Sequence, residues 1–288
     1  LYQNGFVVTF AQRTFQWGSD ARDEAQVHTI IVGLDQADRA PKARRLFSYA
    51  TASGDPTESQ HAAISPYLFD ASGLGNPHIA VRETSKRANG FPKLATGTKP
   101  IDGGYLIFSG PEKEAFLAEE PGAERFFRPY IGAKEFLNGG DRHILYLTTA
   151  EPSEIRALPK VRAQLALVKD YRLGNIPPRT KPEDEPKEPG ISSIALAETP
   201  TAFHIEVAPT TPFLVIPEVS SERREYIPIA WMEPPVIPSN LVRVIQNATL
   251  PLFGLLTSAL HMAWVRHIGG RLKSDYRYNI NLIYNTFP

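Results

Sequence analysis

Between Arg271 and Leu282 the chain alternates two kinds of residue. Arg271, Lys273, Asp275, Arg277, Asn279 and Asn281 hold the odd positions, while Leu272, Ser274, Tyr276, Tyr278, Ile280 and Leu282 hold the even ones. Period-two alternation predicts one strand with a polar face. The polar set carries the chemistry that reads base edges. Arg and Lys donate to guanine O6 and N7, Asn pairs with adenine, and Asp accepts from cytosine N4. A solvated strand face has a similar composition, so the alternation alone leaves both readings open.

A second cluster, Ser220-Ser221-Glu222-Arg223-Arg224-Glu225-Tyr226, lies between two strand candidates. It reads as a turn with paired basic residues and hydroxyls, a combination suited to phosphate oxygens. The competing reading is a solvated turn whose arginines pair with Glu222 and Glu225.

Other chemistry is sparse. His261 and His267 are six apart, whereas helical zinc pairs need a spacing of four, and His261 reads as a core histidine. Gly73-Leu74-Gly75-Asn76 lacks the third glycine of a dinucleotide fingerprint and a preceding strand. There is no Gly-x-Ser-x-Gly elbow and no Walker A segment. An autonomous hydrolase would need a nucleophile–base pair or a metal set, and the chain offers neither.

The elements that position these residues are mixed. Gly5–Phe15 and Val27–Leu34 read as a hairpin or paired strands. Further strand candidates are 78–81, 104–108, 143–147, 203–207, 213–216 and 226–231. Asp102-Gly103-Gly104 reads as a turn entering a strand. One helix starts after Ser109, with Glu112 completing a capping box, and stops before Pro121. A second runs from Leu158 to Leu173, with Val161, Leu165 and Val168 on one stripe and Gly174 as its stop. A third, 251–268, is apolar almost all round, which predicts burial on most sides. The expected class is α+β: mixed or antiparallel sheets with three or more helices, including the largely buried C-terminal one.

The chain has 288 residues, enough for one large or two small domains. Lys+Arg and Asp+Glu both number 31. Charge is uneven, however. From Leu241 onward Arg243, Arg266, Arg271, Lys273 and Arg277 face Asp275 alone, a surplus of four that points modestly to a polyanion partner. The absence of cysteine excludes disulfides, thiolate zinc sites and iron–sulfur clusters. The longest apolar stretch, Leu250 to Trp264, is too short and broken to span a bilayer, and no signal peptide opens the chain. Of 26 prolines, nine fall between Pro177 and Pro217, and the charged run 181–188 reads as an exposed loop. Both ends read as cuts in a larger protein.

Several segments together resemble one family. They include Phe10-Ala11-Gln12-Arg13-Thr14-Phe15-Gln16-Trp17, Gly97-Thr98-Lys99-Pro100-Ile101-Asp102-Gly103-Gly104 and Arg128-Pro129-Tyr130-Ile131-Gly132-Ala133-Lys134-Glu135-Phe136. The basic turn 220–229 is another. The most specific block is Phe253-Gly254-Leu255-Leu256-Thr257-Ser258, then His261-Met262-Ala263-Trp264-Val265-Arg266, then Gly270 to Tyr278, closing on Tyr284-Asn285-Thr286-Phe287-Pro288. In this order they resemble the target-recognition region of MmeI-like adenine-specific DNA methyltransferases. These are bacterial single-chain type IIG/IIL restriction–modification enzymes and related methylases.

The resemblance implies a division of the chain. Residues 1–40 would be the last strands of a methyltransferase domain, 41–250 the target-recognition domain with its Pro-rich loop near 177–190, and 251–288 a helix and strand completing it. The catalytic Asn-Pro-Pro-Phe-type motif and the S-adenosylmethionine site would lie upstream, so this piece should be inactive alone, with no cofactor of its own. Its partners would be double-stranded DNA and the upstream methyltransferase domain, in the cytoplasm, with no membrane.

The family's base-reading side chains would match Lys273, Asp275 and Arg277, with a second stretch near Leu241, which offers only an apolar contact or space. Backbone contacts would fall to Ser220, Ser221, Arg223, Arg224, Arg271 and Ser274. Lys273 donating to guanine and Asp275 accepting from its paired cytosine would prefer one G·C orientation. The alternative is an interaction domain with no base reading, whose polar strand face is merely solvated.

Overall fold

The computed structural model describes residues 1–18, 27–272 and 274–288. The chain divides into two compact units. The first is Leu1–Asn89 with Ser221–Arg223 and Ala263–Pro288; the second is Gly90–Ser220 with Arg224–Met262.

The first unit opens with a four-stranded sheet in which β1 (Phe6–Trp17) lies between β2 (Val27–Gln36) and β3 (Arg44–Tyr49), with β4 (Pro56–His61) beyond β3. β1 is antiparallel to β2, as its sequence predicts, but parallel to β3. Val8 and Ala11 pack against Leu46 and Ile64; three apart, they share a face because β1 shifts register between Val8 and Phe10. The segment 78–81 forms no strand: the Val81 N–H donates to the Tyr67 hydroxyl at 2.6 Å, so a side chain takes the place of a ladder partner.

The second unit holds two four-stranded sheets. Its strands in chain order are β5 (Leu94–Thr96), β6 (Ile107–Ser109), β7 (Phe127–Ile131), β8 (Arg142–Leu145), β9 (Phe213–Pro217), β10 (Val219–Ser220), β11 (Ala230–Met232), β12 (Ile237–Pro238) and β13 (Val242–Gln246). One sheet runs β12-β7-β8-β6 and is mixed, because β12 is parallel to β7. The other runs β11-β9-β13-β5 and is antiparallel. Every residue of β9 is buried, which explains its unbroken apolar run.

Helices α1 (Gly110–Glu119), α2 (Ala133–Asn138), α3 (Pro152–Arg156), α4 (Pro159–Arg172) and α5 (Ile191–Ala197) belong to this unit. α1 starts with the expected capping box, the Ser109 N–H donating to Glu112 Oε2 at 2.7 Å. The stripe of α4 buries Val161, Leu165 and Val168 in a core with Phe108, Phe116 and Phe127, three rings at mutual edge-on distances of 5.3 to 5.6 Å. The buried Glu120 carboxylate accepts the Lys160 and Val161 N–H groups at 3.1 and 2.9 Å, placing an anion on the N-terminus of α4.

Three strand expectations shrink here, the one at 226–231 to Ala230–Met232. At 104–108 only the last residues join a ladder, since the Leu106 N–H turns to Asp102 Oδ2 at 2.8 Å. Gly103 and Gly104, both at positive φ, form the turn, and a Cβ on Gly103 would meet the Tyr171 ring at 2.6 Å. At 203–207 a single bridge, Ile205 with Lys99, stands where a strand was expected. The Thr98 hydroxyl substitutes for a ladder there, donating to Val207 O and accepting from Val207 N.

The helix expected at 251–268 is two helices, α6 (Leu250–Leu256) and α7 (Ala259–Ile268). Thr257 and Ser258 divide them by bonding their hydroxyls back to Phe253 O at 2.9 Å and Leu255 O at 2.7 Å, while Ser258 Oγ caps α7 by accepting the His261 N–H. Burial is one-sided. Leu252, Leu256, His261, Met262, Val265 and Ile268 are inside, whereas Leu250 and Leu260 are two-thirds exposed.

The chain closes in the first unit with β14 (Arg271–Leu272), β15 (Asp275–Arg277) and a π-helical turn, Ile280–Tyr284. The architecture is α+β, with helices and mixed or antiparallel sheets.

Candidate functional site

β14 and β15 are antiparallel, with Arg271 opposite Tyr276 and Leu272 opposite Asp275. The continuous strand expected over 271–282 is therefore folded back on itself. Reversal changes which side chains share a face, because directly opposed residues of an antiparallel pair project to the same side. Arg271 falls with Tyr276, its guanidinium carbon 3.8 Å from the ring centroid. Asp275 and Arg277 fall on the other face, with Leu272.

Alternation does hold within 275–278. Asp275 is half-buried and Arg277 exposed, while Tyr276 and Tyr278 are inside. Burial holds the Tyr278 hydroxyl well above its usual pKa, so it stays neutral. The two asparagines leave the polar face. Asn279 caps the π-helical turn, its side-chain oxygen accepting from the Asn281 and Leu282 N–H groups at 2.8 and 3.1 Å. Asn281 accepts from the Asn285 side chain at 3.3 Å, and its carbonyl accepts the Thr84 N–H. Lys273 lies outside the described residues.

The basic turn and the hairpin, read separately in the sequence, meet in the first unit. Asp275 Oδ1 accepts the Glu222 N–H at 3.3 Å. Ser221 Oγ accepts the Arg223 N–H at 3.3 Å, closing the turn and leaving Arg223 exposed. Glu222, Arg271, Ser274 and Tyr276 then line a cleft of about 410 Å³ with His28 and Thr29 of β2.

A further cationic group was not evident in the sequence because its members are far apart. Partial burial and then the charges of Arg13 and Arg266 hold the His267 imidazole below its ordinary pKa. The His267 ring sits edge-on to Phe69 at 5.2 Å. The surplus charge of the C-terminal stretch is smaller than its count, since Arg243 is spent internally on Glu218 at 2.8 Å and Thr96 Oγ1 at 2.7 Å.

The remaining candidates belong to the second unit. Leu241 is half-exposed between β12 and β13, its N–H donating to Ser239 Oγ at 3.3 Å. That connection is seated tightly, for a Cβ on Gly97 would stand 2.2 Å from the Ser239 carbonyl oxygen. Arg224 is half-buried. Ser220 is buried, and its hydroxyl meets no hydrogen-bond partner among the described residues, which takes it away from the solvent-facing turn.

This unit also carries a cleft of about 610 Å³. Two of its three carboxylates are in ion pairs, Glu112 with Arg179 and Glu135 with Arg142 at 3.2 Å, while Asp141 lies 3.3 Å from His143, whose imidazole burial holds below its ordinary pKa. Among the described residues no cluster of His, Asp and Glu is arranged to hold a metal, and no helix is long and apolar enough to cross a membrane.

Comparison with known proteins adds three findings. The family described as MmeI, target recognition domain, matches residues 75–288. DNA methyltransferase A of Bacillus subtilis (strain 168) is 35% identical over 288 residues, covering 100% of this chain and 30% of that protein. A solved structure of the type IIL restriction–modification enzyme MmeI in complex with DNA superposes with a TM-score of 0.84 at 36% identity, covering 100% of this chain and 36% of that one. The chain thus spans about a third of the length of either relative.

Proposed function

The chain belongs to the MmeI target-recognition-domain family, and from that premise we propose that it selects the DNA sequence on which a larger adenine methyltransferase or restriction–modification enzyme acts. The observation that carries this reading is the hairpin tied to the basic turn: Asp275 and Arg277 project from one face of β15, and Asp275 also holds the Glu222 amide. A reader of base edges needs polar side chains projecting from a fixed element, with cations beside it for the phosphates. Lys273 and Asp275 take one base pair, guanine by the ammonium and cytosine N4 by the carboxylate. Arg277 takes a second guanine, and Leu241 contributes an apolar contact.

Phosphate contacts fall to Ser221, Arg223, Arg224 and Ser274. Ser220 supports the turn from within. Methyl transfer belongs to the upstream half of the parent, where S-adenosylmethionine supplies the methyl group.

Residues 1–40 join the methyltransferase domain in this reading. Its contact with them is supported by Ile30, Val32 and Leu34, a row of exposed apolar side chains on edge strand β2. The parent acts in the bacterial cytoplasm.

The test is methylation mapping of DNA from cells carrying the intact parent, wild type beside a variant in which Lys273 and Asp275 are exchanged. A change at one position of the methylated motif is expected. Loss of methylation with no new motif would place base reading elsewhere.

A further inference from the structure

Arg271 has the composition of a phosphate contact but not the geometry of a free one. Its guanidinium lies face-on to Tyr276, 3.8 Å from the ring centroid, and Tyr276 is only 6% exposed, so the ring is a fixed platform. Its Nη1 donates to the Ser274 carbonyl at 3.1 Å. The two contacts lie on opposite sides of the chain reversal: Arg271 is on β14, Ser274 in the connection, and Tyr276 on β15. A planar cation can stack and donate in its own plane at once, whereas an ammonium is a point charge without that fork. A backbone bond closes the same hairpin from below, the Arg277 N–H donating to Gly270 O at 3.1 Å.

We propose that Arg271 is a positioning residue for sequence selection, a clamp that fixes the reversal between Leu272 and Asp275 and so sets where the reading side chains stand. This rests on the DNA-reading function above and assigns Arg271 a role other than phosphate contact. Strand geometry demands such a clamp. β14 and β15 have two and three residues, so the ladder between them supplies few hydrogen bonds to fix their register. A reader displaced by about 1 Å loses a bidentate base contact whose geometry allows a few tenths of an ångström.

The experiment uses the full-length parent with Arg271→Lys, Arg271→Ala and Tyr276→Phe. Competition binding with the preferred duplex and single-base-pair variants gives discrimination, a salt series gives the electrostatic slope, and amide hydrogen exchange over 270–278 gives the order of the hairpin. Arg271→Lys keeps the charge and loses the stacked fork. It should lower discrimination about tenfold at the position read beside Asp275, equivalent to about 1.4 kcal/mol, with an unchanged salt slope and faster exchange in the hairpin. Arg271→Ala should lose discrimination equally, and Tyr276→Phe, which keeps the ring, should match wild type.

The proposal is overturned if Arg271→Lys behaves as wild type while Arg271→Ala lowers the salt slope by about 1, the mark of one lost phosphate contact. It is also overturned if hairpin exchange is the same in all variants. A wild-type parent that binds every duplex alike would instead remove the reading on which the proposal rests. Hydrogen exchange tells that case apart, since it follows the clamp without reference to DNA.

Discussion

Asp275 Oδ1 accepts the backbone N–H of Glu222 at 3.3 Å, joining side chain to main chain across 53 residues of sequence. One carboxylate oxygen thus holds the basic turn to the hairpin. In the proposed complex the residue that accepts from cytosine also holds the turn that carries Arg223. Base reading and phosphate contact are mechanically linked through one side chain.

That linkage makes Asp275→Ala a composite change. Discrimination at one G·C position should fall by about 1–3 kcal/mol, the worth of a good base contact. Affinity for all duplexes should fall too, as the 221–223 turn loses its anchor. Competition binding with single-base-pair variants separates the two effects. Unchanged discrimination with a uniform loss would reduce Asp275 to a structural role.

Arg223→Ala and Arg224→Ala should weaken every duplex alike and leave base preference intact. Each lost phosphate contact should flatten the slope of log K against log salt by about 0.9. Binding isotherms across a salt series check this. A variant that alters base preference without touching the slope would place its arginine among the base readers.

Arg172 is predicted to be the costliest single truncation in the second unit. Its guanidinium is fully buried and donates to the carbonyls of Pro100, Ile101, Leu196, Thr199 and Ala202 at 2.7 to 3.1 Å. Arg172→Met removes the donors and leaves carbonyls unpaired, which should destabilise by about 3–5 kcal/mol. Arg172→Lys should not rescue, because an ammonium cannot span five acceptors. Urea midpoints measure both. A loss below about 1 kcal/mol would show that the carbonyls find other partners.

His261 links stability to pH. Burial pushes its imidazole down to about 4, against an ordinary value near 6.5. The folded state therefore resists a proton that the unfolded chain accepts. Its contribution is complete above about pH 6.5 and is lost as pH falls toward 4, at about 1.4 kcal/mol per pH unit. His261→Gln, which does not titrate, should show a shallower decline than wild type between pH 6.5 and 4.5. Parallel curves from urea unfolding at several pH values would contradict it.

Much of the local structure was legible because its causes are local. The Ser109–Glu112 box, the apolar spacing of α4, Gly174 at positive φ after that helix and the turn at Gly103-Gly104 are each written in residues a few positions apart. The pairing of β1 with β2 followed from two β-rich runs close in sequence. Segments 78–81 and 203–207 have strand composition yet form no ladder, because Tyr67 and Thr98 supply their hydrogen bonds from 14 and 109 residues away. A propensity scale cannot see partners at that distance.

The candidate site divides the same way. The sequence by itself determined the family motifs, the α+β class and the residue types available to read a base, since these depend on identity and order. Only the tertiary structure decided that the polar run 271–282 turns back after Leu272, that Arg271 stacks on Tyr276 instead of standing beside Asp275, and that Asn279 and Asn281 are spent on the chain's own backbone and side chains. The physical reason is that period-two alternation specifies faces only for a strand that stays straight. Where the chain reverses, cross-strand register reassigns the faces, and register is set by partners that alternation does not name.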